Sequence, residues 1–151
     1  MGRKGAAFAT HSNIRKHMQN KTVTINTNGK GFYLLDRHVD KFLKEAGAKD
    51  GLLNIFIKHT SASLAITENY DPSVKEDLLA FLEKIAPEGN FYKHSLEGPD
   101  DMPAHIKNMS LPTSLSIPVL GGKMQLGTWQ SVYLVEHKVA RQVRRLVLSY
   151  L

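Results

Sequence analysis

At 151 residues, the chain is long enough to close one hydrophobic core and too short for two comfortable ones. A hydrophobic share of 42% with 23% charged residues fits an ordinary globular domain rather than a disordered one. The absence of cysteine excludes a disulfide framework, a thiolate zinc site and a cysteine nucleophile, so any metal must be held by His, Asp, Glu or water.

The formal charge of +6 is gathered at the two ends. Arg3, Lys4, Arg15, Lys16 and Lys21 lie in the N-terminal stretch, and Lys138, Arg141, Arg144 and Arg145 near the C-terminus. No RNP, zinc-finger or helix-turn-helix signature accompanies them, so specific nucleic-acid binding is not expected. Basic ends of this kind attract phosphorylated metabolites as readily as they form solvated tails. MGRKGAAFATHSNIRKH has no apolar targeting core, and no stretch reaches the ~18 apolar residues of a membrane span. A cytoplasmic protein is expected. Residues 1–20 read as a basic arm, and 21–151 as one domain.

Along the chain, Thr22-Val23-Thr24-Ile25-Asn26 alternates as a strand does, and Asn28-Gly29 turns into a second strand from Gly31 to Leu35. Asp36 is expected to cap a helix whose apolar face is Val39, Phe42, Leu43 and Ala46, with Gly47 as its stop. Leu52 to Lys58 reads as a buried strand, and Ser63 to Thr67 as another. A second helix follows, with Asp71 as N-cap, Pro72 at its first position and Val74, Leu78, Leu82 and Ile85 on one face. A loop leads to a short helix from about Asp101 to Asn108. Four closing strands are expected at Leu115 to Val119, Met124 to Leu126, Ser131 to Val135 and Val143 to Leu148. The fold class is therefore α+β, a single domain with a large mixed, mainly antiparallel sheet and helices packed on it. Such a sheet leaves edges open to self-association.

The densest polar constellation is His94-Ser95-Leu96-Glu97-Gly98-Pro99-Asp100-Asp101-Met102-Pro103-Ala104-His105, with two histidines and three carboxylates around a Gly-Pro bend. A helix cap needs one acidic residue, and this loop supplies several. If the helix starts at Asp101, His105 falls in its first turn, where the positive end of the dipole favours a neutral, ligating imidazole. The same helix end suits a phosphate. His59-Thr60-Ser61 closes an apolar strand in polar groups, which makes Ser61 a substrate-binding candidate. Gly127 interrupts a strand pattern beside the sole tryptophan, Trp129, although a core position is the commoner fate of a tryptophan.

Four stretches, HTSASLAITENYDP, HSLEGPDDMPAHIK, SLSIPV and LGTWQSVYLVEH, occur in this order and closely resemble the YjbQ-like family of secondary thiamine-phosphate synthase enzymes, over residue 22 to the end. The resemblance implies a compact α+β fold assembled as a homotrimer with sites near subunit boundaries, and thiamine-phosphate synthase activity. It matches His59, His94 and His105 to the family's histidines, as ligands of a metal or anion. It matches Glu97, Asp101 and Glu136 to acidic, catalytic positions. Asn69, Asp71, Gly127, Thr128, Trp129 and Gln130 match positions for the substrate. One departure is Lys138 after the Glu-His pair, where relatives commonly place Arg.

Three imidazoles suit zinc, with magnesium as the alternative that phosphoryl chemistry would favour. A His-ligated metal with an open position beside Glu97 or Glu136 also fits a hydrolase of a small phosphorylated or ester metabolite. A non-catalytic metabolite-binding protein is the third reading.

Overall fold

The computed structural model describes residues 17–151. Most of the basic arm expected at 1–20 lies outside the described residues, and the first strand already begins at Gln19. The chain forms an α+β domain in which a large antiparallel sheet carries the helices. In order it runs β1 (Gln19–Asn28), β2 (Gly31–Leu34), α1 (Asp36–Glu45), β3 (Gly51–Ile57), β4 (Ala62–Glu68), α2 (Pro72–Ile85), α3 (Asp101–Ser110), β5 (Ser114–Leu120), β6 (Lys123–Met124), β7 (Gln130–Glu136) and β8 (Arg141–Tyr150). Five strands pair in the order β1-β8-β3-β5-β6, and three more in the order β2-β7-β4. The ladders are antiparallel.

Both sheets share one core. Leu53, Ile55 and Ile57 of β3 and Leu146 and Leu148 of β8 meet Leu64 of β4 and Val132 and Leu134 of β7. Strand β7 is buried from Ser131 to Glu136 without alternation, because it is central in its sheet and covered on both faces. Helix α1 adds Val39, Phe42 and Leu43 to the core, the stripe its i, i+3, i+4 spacing presents.

Local details differ from the sequence expectation where long-range partners intervene. Asp36 does not cap α1. It is the first helical residue, and its carboxylate accepts the Val132 N–H at 2.8 Å, tying the helix to β7. Asp71 does cap α2, accepting the Ser73 N–H at 2.9 Å, with Pro72 opening the helix. Strand β3 is buried on one face only. Leu52 and Phe56 stand on the other, the face that also carries Val143 of β8 and Leu120 of β5, all exposed. Among the described residues, no helix is long and apolar enough to cross a membrane.

Candidate metal centre

Helix α3 builds the centre. Asp101, His105 and Asn108 are spaced i, i+4, i+7 and share one helical face. The Asn108 amide nitrogen donates to the carbonyls of His59 at 3.2 Å and Ala62 at 2.6 Å. This pins the turn between β3 and β4 onto the helix. The Thr60 carbonyl is thereby held where His105 Nδ1 donates to it at 2.8 Å.

On the other side of that imidazole lies Asp101. Its Oδ2 is 3.1 Å from His105 Nε2 and 2.7 Å from His94 Nε2. The ligand atoms of His94, Asp101 and His105 all lie within 4.8 Å of one another, so this cluster could coordinate a divalent metal. The Asp101 side chain is 5% exposed and that of His94 48%. The centre thus opens to solvent on the His94 side.

The second carboxylate oxygen is already engaged. Lys138 Nζ donates to Asp101 Oδ1 and to Asp100 Oδ1, each at 3.0 Å, and Asp100 Oδ2 accepts the Val139 N–H at 2.9 Å. Burial would raise the Asp101 pKa, but hydrogen bonds from Lys138 and His94 outweigh it and hold the group down at about 2. Burial would likewise lower Lys138, and the two aspartates reverse the direction and raise it.

This geometry leaves a place for a cation. A carbonyl oxygen can only accept, so His105 Nδ1 donates to Thr60 and Nε2 is the ring atom turned to Asp101 Oδ2, 3.1 Å away. A ring proton or a metal ion bridges two such atoms equally well. The hydrogen bond to Thr60 is the kind of outer contact that fixes a ligating histidine's tautomer.

The other expected site residues are distributed differently. His59 stays out of the cluster. Its Nε2 accepts the Arg145 N–H at 2.8 Å, which leaves the proton on Nδ1 and no lone pair for a metal. Burial and the neighbouring Arg144 lower its pKa, in keeping with a neutral ring. Glu136 is fully buried. Its carboxylate accepts from Thr27 Oγ1, Arg144 Nε and Nη2, and the N–H groups of His137 and Lys138. Burial would raise its pKa, and Arg144 and Thr27 together lower it instead. A carboxylate so enclosed braces the sheet end. Glu97 is exposed on the loop between α2 and α3. Ser61 accepts from Arg144 Nη2 at its hydroxyl, 2.9 Å, and at its carbonyl, 3.1 Å.

The remaining substrate candidates sit at the far end of the β4–β7 ladder. Ala62 pairs with Glu136 at the metal end, and Glu68 with Gln130 at the other, six residue steps or roughly 20 Å away. There Gln130 Oε1 accepts the Gly127 N–H at 2.8 Å, closing a turn around Thr128 and Trp129 rather than extending a strand. The Asn69 N–H donates to the Trp129 carbonyl at 2.8 Å, and Asp71 caps α2. Trp129 is 54% exposed, not core, and its ring leans on Tyr70 with centroids 4.7 Å apart.

The sequence reading missed Lys138 and Asn108 as parts of the centre. Asn108 was open to discovery, since its spacing from Asp101 and His105 marks one helical face. Lys138 was not, because only tertiary folding brings it to α3.

Known proteins place the chain among relatives along nearly its whole length. A UPF0047 protein of Synechocystis is 41% identical over 142 residues, covering 93% of this chain and 95% of its own. The UPF0047 protein YjbQ of Escherichia coli O157:H7 is 41% identical over 130 residues, covering 85% and 94%. Among solved structures, a YjbQ/UPF0047 protein of Clostridium acetobutylicum superposes with a TM-score of 0.77 at 33% identity, over 88% of this chain and 99% of that one. A conserved hypothetical protein of Thermus thermophilus gives 0.78 at 30% identity, over 87% and 99%. Residues 21–151 match the family described as UPF0047 protein YjbQ-like, and the chain belongs to that family.

Proposed function

We propose that this chain is a metal-dependent enzyme acting on a small phosphorylated metabolite, with a divalent ion, zinc before magnesium, held by His94, Asp101 and His105. The observation that carries the reading is the convergence of His94, Asp101 and His105, whose ligand atoms all lie within 4.8 Å of one another. Two nitrogens and one oxygen suit zinc better than a magnesium ion that prefers oxygen and water. Such an ion would supply positive charge to a phosphate group or a departing pyrophosphate.

The reaction class follows from the family resemblance. In thiamine-phosphate synthesis the thiazole nitrogen bonds to the pyrimidine methylene carbon as its carbon–oxygen bond to pyrophosphate breaks, and the electron pair leaves with pyrophosphate. The nucleophile belongs to the substrate, so no protein base is required. That accords with Asp101 being committed to His94, His105 and Lys138, and with Glu136 being enclosed. The alternative, a hydrolase of a phosphorylated or ester metabolite, is favoured by the solvent-open side of the centre at His94. It would need Glu97 as its base.

A homotrimer belongs to the same proposal. Trp129, Gln130 and Asn69 lie too far from His94 in one chain to share a substrate with it, and a neighbouring copy would supply them. The exposed Leu52, Phe56, Leu120 and Val143 offer apolar surface for assembly.

Complementation of a thiamine-auxotrophic strain tests the reading. Growth with the wild type and loss of growth with a folded His105→Ala protein are expected. If Glu97→Gln instead abolishes hydrolysis of a phosphorylated substrate, and complementation never occurs, the hydrolase reading replaces the synthase. Tight metabolite binding without turnover would leave a binding protein.

A further inference from the structure

Among the described residues, Lys138 is the one ammonium group bound to the carboxylate at the heart of the centre, and its position has a consequence for metal choice. A carboxylate can bind a cation through one oxygen or through both. Hard, oxygen-seeking ions such as manganese and calcium gain from the bidentate mode and from negative charge, whereas zinc is content with one short oxygen bond and imidazole nitrogens. Here Oδ1 of Asp101 is held by Lys138 Nζ at 3.0 Å, and only Oδ2 faces the imidazoles. The same ammonium holds Asp100 Oδ1 at 3.0 Å, whose other oxygen is fixed by the Val139 N–H. With Asp100 anchored at both oxygens, Lys138 cannot swing away from Asp101 without abandoning a second, nearly buried carboxylate. The side chains of Lys138, Asp100 and Asp101 are 11%, 12% and 5% exposed, so water does not easily take the ammonium's place.

We propose that Lys138 is a positioning residue that sets the metal preference of this centre. By occupying Oδ1 it restricts Asp101 to a single ligating oxygen and offsets one of the two negative charges of Asp100 and Asp101. The ion then meets two imidazole nitrogens and one oxygen, a set that selects zinc over manganese. This rests on His94, Asp101 and His105 being a metal centre, and goes beyond it by assigning the selectivity to a residue that touches no metal.

The test is a pair of affinities, for zinc and for manganese, measured by competition titration on the full-length protein without a histidine tag. Lys138→Met removes the ammonium and keeps the length of the stem. Both ions should bind more tightly, manganese by the larger factor, so that the zinc-to-manganese ratio falls by about tenfold or more. Lys138→Arg, which keeps the charge and the donors, should keep the wild-type ratio. A purely structural lysine would weaken both ions together and leave their ratio in place. If Lys138→Met does not fold, Lys138→Met/Asp100→Asn removes one charge of each sign, leaves the net charge of the buried cluster unchanged and still frees Asp101 Oδ1. The same fall in ratio is expected there. Wild-type zinc binding with an unchanged ratio in the folded variants would overturn the role of Lys138 and leave the centre standing. Absence of zinc and manganese binding by the wild type would overturn the centre itself.

Discussion

Replacing Glu136 by Gln separates a structural carboxylate from a catalytic one. Arg144 is 3% exposed and Glu136 is 0%, and the guanidinium meets both carboxylate oxygens, at 2.5 Å and 2.7 Å. A glutamine side chain would place its oxygen where three donors converge, Arg144 Nη2 and the N–H groups of His137 and Lys138. Its amide nitrogen would then face Thr27 Oγ1 and Arg144 Nε. The hydroxyl can turn to accept, but Arg144 Nε cannot, and the arginine charge is left buried without a counter-ion. Breaking one partner of such a pair costs about 3–5 kcal/mol. Urea unfolding of Glu136→Gln at pH 7, at the wild-type chain concentration, should show that loss. Zinc affinity measured on the folded protein should be retained. Removing the stranded charge as well, in Glu136→Gln/Arg144→Met, should restore part of the stability. A Glu136→Gln protein as stable as the wild type but devoid of turnover would refute the structural assignment and return Glu136 to the chemistry.

His137 makes stability fall with acid. Burial, joined by the nearby Lys107, lowers its pKa from 6.5 to about 4. The unfolded chain therefore takes up a proton below pH 6.5 that the folded one refuses until about pH 4. At roughly 1.4 kcal/mol for each pH unit between those values, about 3 kcal/mol is lost across that window. Urea titrations at pH 7 and 4.5 should show the loss, and a folded His137→Gln variant should show less of it; equal slopes would contradict the assignment. Gly122 has φ +78° and a Cβ there would stand 2.7 Å from the Ala48 carbonyl oxygen, whereas Gly47, φ +60°, has nothing within 4 Å. Gly122→Ala should therefore lose at least about 2 kcal/mol against about 1 for Gly47→Ala in thermal or urea unfolding; equal losses would remove the steric argument.

The elements whose signals are local were legible in the sequence. Helix α1 announced itself through Val39, Phe42 and Leu43, and α2 through the Asp71-Pro72 start, because capping and amphipathic spacing act within a few residues. Asp36 misled because its side chain serves Val132, 96 positions away. The same limit governs the centre. His94, Asp101 and His105 were recognisable as a polar cluster on a loop and a helix start. Nothing local revealed that His59 spends its lone pair on the Arg145 amide, or that Glu136 closes on Arg144. Both depend on where β8 lies beside the end of β3. The GTWQ residues matched the family in sequence, yet the β4–β7 ladder carries them to the opposite end from the histidines. Chain order alone does not encode that separation.

The central claim is that His94, Asp101 and His105 hold one metal ion, and X-ray absorption at the zinc edge on zinc-loaded, tag-free protein tests it most directly. The account predicts two imidazole nitrogens at about 2.0–2.1 Å and carboxylate oxygen at about 2.0–2.2 Å, with the signal abolished in a folded Asp101→Ala variant. Zinc that binds with the same ligand shell in Asp101→Ala, or a shell without paired imidazoles, would contradict it.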